Sequence, residues 1–113
     1  MARYAPPETF KHRADFLRMA RRGKKIPRPG FLMQALTGGQ THLQVGYTAS
    51  KKLGNAVARN RARRRLREAA RLTLAGAELR GVELVLVCRR ETATLPFETL
   101  CQNIRTALDE ALR

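Results

Sequence analysis

Cysteine, histidine, acidic residues and long apolar runs are all scarce in this 113-residue chain, and each scarcity narrows the chemistry open to it. The two cysteines, Cys88 and Cys101, lie in apolar patterns with no second cysteine or histidine at metal-ligand spacing, so two buried thiols are expected rather than a metal site. The two histidines, His12 and His42, belong to no motif with carboxylates or cysteines. No catalytic side chain and no protein-bound metal or cofactor is therefore expected. No segment approaches the roughly 18 to 20 apolar residues that span a bilayer, and the opening Met1-Ala2-Arg3-Tyr4-Ala5-Pro6-Pro7-Glu8 lacks the apolar core of a signal peptide. A cytoplasmic protein is the expectation, with no membrane partner and no small-molecule substrate.

Acidic residues are the most consequential shortage: 9 Asp and Glu face 23 Lys and Arg, for a formal charge of +14. A compact chain so charged repels itself unless a polyanion neutralises it. The length fits a single domain over residues 1–113, with residues 1–8 and their Pro6-Pro7 pair as a flexible lead-in.

Helical spacing of Phe10, Phe16, Leu17 and Ala20 predicts a helix over Thr9 to Arg22, stopped at Gly23. Lys24 to Gly30, with two prolines and a glycine, reads as a basic loop. Phe31 to Thr37 and His42 to Thr48 read as strands around Gly38-Gly39, a pair suited to a hairpin turn. After a polar connection over Ala49 to Gly54, Asn55 can cap a helix that runs to about Leu74, with Gly76 as its stop. Ala58, Ala62, Leu66, Ala69, Ala70 and Thr73 form one small aliphatic stripe on it, and Asn60, Arg64, Arg67 and Arg71 share another side. Val82 to Cys88 is a nearly continuous apolar run, as in an inner strand. Thr94 and Pro96 precede a last helix whose Phe97, Leu100, Cys101, Ile104, Leu108 and Ala111 recur at core-facing intervals. The order helix, strand, strand, helix, strand, helix, with room for one extra short strand, predicts an α/β two-layer sandwich with a small sheet.

Between Ser50 and Arg71 stand nine basic residues, Lys51, Lys52, Arg59, Arg61, Arg63, Arg64, Arg65, Arg67 and Arg71, against the single Glu68. A stabilised surface helix mixes signs at intervals of three and four, whereas here positions 59 and 63, 61 and 65, and 63 and 67 repel. At roughly 0.2–0.5 kcal/mol per like pair, the arrangement costs stability with no return visible inside the domain. A polyanion supplies the return. Arginine fills all seven basic positions of the helix, and its planar fork binds phosphate bidentately and stacks on bases. A DNA-reading basic helix normally continues into zipper heptads, but this one gives way to a strand.

The run from Val45 to Ala69, with Lys51-Lys52, Asn55-Ala56-Val57 and above all Arg59-Asn60-Arg61, closely resembles the signature of the bacterial ribonuclease P protein subunit. The likeness extends to Asp15-Phe16, Gly23, Leu84 to Arg90 and the C-terminal helix, and so to nearly the whole chain. It implies a ribosomal-protein-like fold with a mixed sheet and a left-handed βαβ crossover, against the general right-handed preference. It also implies partnership with a catalytic RNA subunit that removes the 5′ leader of precursor tRNA through magnesium ions held mainly by the RNA.

By matching position, the resemblance assigns RNA binding to Lys51, Lys52, Arg59, Asn60, Arg61, Arg63, Arg64 and Arg67, with Arg71 further along the same helix. Phe16 and Thr48 fall at a cleft for the leader, where an aromatic ring offers single-stranded RNA a sequence-tolerant platform. Phe16 equally suits an ordinary core position. Two departures, Ala20 where a second aromatic is frequent and Gln34 where tyrosine is frequent, imply thinner stacking and greater dependence on charge. The rival readings are a ribosomal protein of related fold and a peripheral protein of anionic membranes. The latter needs large apolar residues opposite the basic face, where this helix carries mainly alanines.

Overall fold

The computed structural model describes residues 10, 12–39, 42–74 and 79–113. Its elements are α1 (Arg13–Arg22), β1 (Lys24–Arg28), β2 (Phe31–Leu36), β3 (Gln44–Thr48), α2 (Ala56–Leu74), β4 (Glu83–Cys88) and α3 (Phe97–Ala111), with 3-10 turns at Lys51–Leu53 and Arg90–Ala93. The lead-in over residues 1–8, the helix start at Thr9 and the stop at Gly76 lie outside the described residues. Phe10 is not helical and His12 is extended, so α1 begins at Arg13, later than its apolar spacing predicts.

The apolar run of β4 makes it an inner strand of a mixed sheet ordered β1-β2-β4-β3. It pairs antiparallel with β2 and parallel with β3. Two expectations are corrected here. Lys24 to Gly30 is not a loop: Lys24–Arg28 forms the edge strand β1, which tolerates Pro27 because an edge need not donate from every residue. The turn is Pro29-Gly30, with Gly30 at φ 96°, a two-residue link from Arg28 to Phe31. Nor do β2 and β3 form a hairpin, because β4 lies between them. Instead the Gly39 N–H donates to the Gly81 carbonyl at 3.1 Å, and a Cβ on Gly81 would lie 2.2 Å from the Gly39 oxygen. Two glycines thus allow the chain leaving β2 to cross the segment entering β4.

Side chains alternate across a strand, so each strand serves both faces of the sheet. Leu84, Leu86 and Cys88 of β4 join Leu66, Ala69 and Ala70 of α2 and Leu100 and Ile104 of α3 in one buried cluster. The aliphatic stripe read from the sequence is the buried side of α2, with Ala62, Leu66, Ala69, Ala70 and Leu74 inside. Asn55 caps that helix as expected, its Oδ1 accepting the Ala58 N–H at 2.9 Å. Sheet, α2 and α3 therefore make the two-layer α/β sandwich, and α1 is laid against part of the sheet's other face. There Met19 is fully buried, and Arg18 meets Glu83 through a pair of hydrogen bonds at 2.6 and 3.1 Å.

Candidate nucleic-acid interface

The seven arginines of α2 divide by what they touch. Arg61, Arg64 and Arg67 are exposed, as is Asn60. Arg67 lies over the Tyr47 ring of β3, 5.5 Å from its centroid, a cation–π contact. Arg63 donates to the Asn60 side chain, and Arg59 to the Gly54 carbonyl at 3.2 Å. Arg71 pairs with Glu68 one turn back, which holds the Glu68 carboxyl below its usual range.

Arg65 differs from its neighbours. Its two terminal nitrogens donate to the backbone carbonyls of Thr92 and Leu95, each at 2.7 Å. This corrects the reading that the arginine run has no return within the domain: one member fastens α2 to the connection between β4 and α3. Thr92 extends the junction, because its fully buried hydroxyl donates to the Gly30 carbonyl at 2.5 Å and accepts the Arg89 N–H at 2.8 Å.

The sheet face that carries α1 is only partly covered. Phe16 stands over Gly46 of β3 with Phe10 edge-on to it, ring centroids 5.7 Å apart and planes at 74°. A Cβ at Gly46 would lie 2.6 Å from one ring and 2.7 Å from the other, so the aromatic pair depends on a residue without a side chain. Beyond Phe16 the face continues to Thr48, Val87 and Leu32, register neighbours across three strands and each half-buried. Phe16 and Thr48 thus share one surface, with Lys51 and Lys52 exposed just beyond the end of β3. A second aromatic is present after all, supplied by Phe10 rather than from position 20; Ala20 is exposed, and Gln34 is buried on β2.

Sequence reasoning passed over Arg89 and Arg90, whose only local signal is a dibasic pair at the end of an apolar strand. They line a solvent-open crevice with Ser50, Lys52, Leu53 and Cys88. Both cysteines are buried free thiols, as expected. Burial pushes the Cys88 thiol up to about 11, against the pull of the Arg63 charge, so it stays protonated at neutral pH. Among the described residues no group of three or more His, Cys, Asp or Glu side chains is placed to hold a metal ion. No helix there is long and apolar enough to cross a membrane.

Residues 5–112 match the family model Ribonuclease P. The chain belongs to that family. It is 46% identical over 103 residues to the ribonuclease P protein component of Gluconacetobacter diazotrophicus, covering 90% of this chain and 89% of that one. It is 43% identical over 106 residues to the component of Paramagnetospirillum magneticum, covering 89% and 80%. Among solved structures, the RNase P protein of Thermotoga maritima superposes with a TM-score of 0.76 at 25% identity, covering 91% of this chain and 96% of that one. The mixed four-stranded sheet with three helices is thus the fold of bacterial RNase P proteins.

Proposed function

We propose that this chain is the protein subunit of a ribonuclease P, binding the catalytic RNA and the 5′ leader of precursor tRNA so that the leader is removed and the mature 5′ end produced. The observation that carries the reading is the pairing of two surfaces in a family member. One is the exposed stripe Asn60, Arg64 and Arg67 on α2 with Arg61 beside it; the other is the half-open sheet face holding Phe16 and Thr48.

In this reading Arg59, Asn60, Arg61, Arg63, Arg64, Arg67 and Arg71 serve RNA from α2, and Lys51 and Lys52 serve it from the preceding turn. Guanidinium forks suit phosphates, whereas the aromatic pair over Gly46 offers single-stranded bases a stacking platform. Phosphodiester hydrolysis belongs to the RNA subunit, with magnesium ions bound mainly there. A site lined by ammonium and guanidinium groups does not suit a divalent cation, so the protein's part is to bind and position RNA. The holoenzyme is a cytoplasmic ribonucleoprotein endoribonuclease, and the protein acts on no small molecule and no membrane.

Purified protein added to a bacterial ribonuclease P RNA at limiting magnesium should accelerate leader removal from precursor tRNA. Unchanged cleavage together with tight binding to ribosomal RNA would instead identify a ribosomal role.

A further inference from the structure

α1 is a short helix with little apolar packing to hold it. Met19 is its one buried side chain, Leu17 is 52% exposed, and His12 at the N-cap makes no side-chain capping bond. The C-terminal end is fixed, because only Gly23 separates it from β1 and the Gly23 N–H donates to the Met19 carbonyl at 2.9 Å. The N-terminal half, which carries Phe16, depends on side chains for its placement.

With about 100° between successive residues of a helix, Phe16 and Arg18 lie on opposite flanks of Met19. On one flank Phe16 rests over Gly46 of β3. On the other the Arg18 fork takes both oxygens of the Glu83 carboxylate, at 2.6 and 3.1 Å, with Asp15 on the same helix 3.6 Å away. A planar fork on a carboxylate fixes direction as well as distance. Glu83 is a firm anchor, since it opens the inner strand β4 and is flanked there by Leu36 and Gln44. Arg13, Arg21 and Arg22 of the same helix are exposed and form no ion pair among the described residues, which sets position 18 apart. Burial of Met19 alone leaves α1 free to roll about its axis. The Arg18–Glu83 pair removes that freedom, and roll is the movement that would carry Phe16 across the sheet.

We propose that Arg18 and Glu83 are positioning residues: their ion pair sets the roll of α1 and so holds the Phe16 ring in the pose that receives an RNA base, while neither side chain touches RNA. This deepens the reading of the chain as a ribonuclease P subunit and rests on it. An acidic residue then aids the binding of a polyanion, against the sign of its own charge.

The test uses holoenzyme reconstituted with a ribonuclease P RNA, with affinity measured against salt for leader-bearing precursor tRNA and for mature tRNA. Glu83→Gln raises the net charge by one and Arg18→Gln lowers it by one, so an effect of charge alone would move affinity in opposite directions. Positioning predicts that both weaken binding of the leader-bearing precursor. Neither loss should exceed that of Phe16→Ala, roughly 5- to 150-fold for one stacked base. Mature tRNA should bind as before, and Arg18→Gln should keep the native salt slope because no phosphate contact is lost. In a Phe16→Ala background neither change should add a further loss. Partly exposed ion pairs contribute little to global stability, so both melting temperatures should stay near the native one. Tighter or unchanged leader binding by Glu83→Gln overturns the proposal, as does equal weakening on mature tRNA or a further loss once Phe16 is gone. A collapsed melting temperature in either variant makes the pair structural and overturns it too. Acceleration of cleavage by the unmodified protein is read in parallel, so failure of the positioning pair is distinct from failure of the subunit reading.

Discussion

The two faces of the sheet are built from alternate residues of the same strands, yet they are finished differently. Leu84, Leu86 and Val45 point into a cluster closed by α2 and α3, and all are fully buried. On the other face α1 covers only part of the surface, and Thr48, Val87 and Leu32 remain half-buried. The difference teaches how a small domain can keep a core on one side of a sheet and, on the function proposed above, an RNA-accepting surface on the other. Packing against two helices stabilises it from one side, which frees the other to present apolar and polar groups to a partner.

That contrast can be broken at several points. The largest expected effect is on the closed face: Leu66→Ala removes a fully buried side chain of the cluster and should cost about 2–5 kcal/mol in chemical denaturation. The RNA-binding salt slope of the folded fraction should not move. On the half-open face, Gly46→Val drives a side chain into the space of Phe16 and Phe10. It should destabilise by about 1–3 kcal/mol and also weaken binding of leader-bearing substrate; a variant that binds the leader normally would separate the rings from the RNA path.

Phe16→Ala should lower affinity for leader-bearing precursor by about 1–3 kcal/mol per base stacked and leave mature tRNA unaffected. Equal loss on both substrates would make Phe16 a packing residue only. Next comes the outer side of α2. If about six phosphates are neutralised, raising salt from about 50 to 200 mM should weaken binding by roughly 2.5 to 3 decades. Arg64→Ala and Arg67→Ala should each flatten the slope by about one unit, and unchanged slopes would put these side chains in solvent.

The smallest expected effect lies where β1 meets α3. Arg28 holds the Glu110 carboxyl below the usual glutamate range. A depressed folded pKa gives stability that is present above the unfolded pKa and is lost as pH falls through the folded one. The melting-temperature difference between the native protein and Glu110→Gln should therefore shrink in acid, and a constant difference would remove the ion pair from the account.

Much of this organisation is legible in the chain because it is local. The buried stripe of α2, the Asn55 cap, the inner strand ending at Cys88 and the core side of α3 all follow from periodicity and capping chemistry within one element. Pairing between elements is not local, and there the reading failed. Gly38-Gly39 has the composition of a hairpin turn, but its structural task is to pass Gly81, more than forty positions away. β1 carries a single buried residue, Ile26, too short a pattern to distinguish an edge strand from a basic loop.

The interface divides in the same way. Sequence spacing puts Arg64 and Arg67 on one outer stripe, where the structure leaves them exposed. It treats Arg65 as one more cation, because its carbonyl partners lie 27 and 30 residues away. Arg89 and Arg90 were passed over for the converse reason: each looks ordinary until the sheet brings it beside Lys52. Phe10 likewise gains its meaning only where it meets Phe16 over Gly46.

The contrast between the two faces is tested most directly by crosslinking. In a background with Cys88 and Cys101 replaced, a single cysteine carrying a photoreactive group is placed either at position 48 on the half-open face or at position 102 on the exposed side of α3. Both variants are assembled with a ribonuclease P RNA and leader-bearing precursor tRNA. Position 48 is expected to crosslink to leader nucleotides and position 102 to neither RNA. Equal crosslinking from both positions, or none from position 48, would contradict the assignment of the leader to the half-open face.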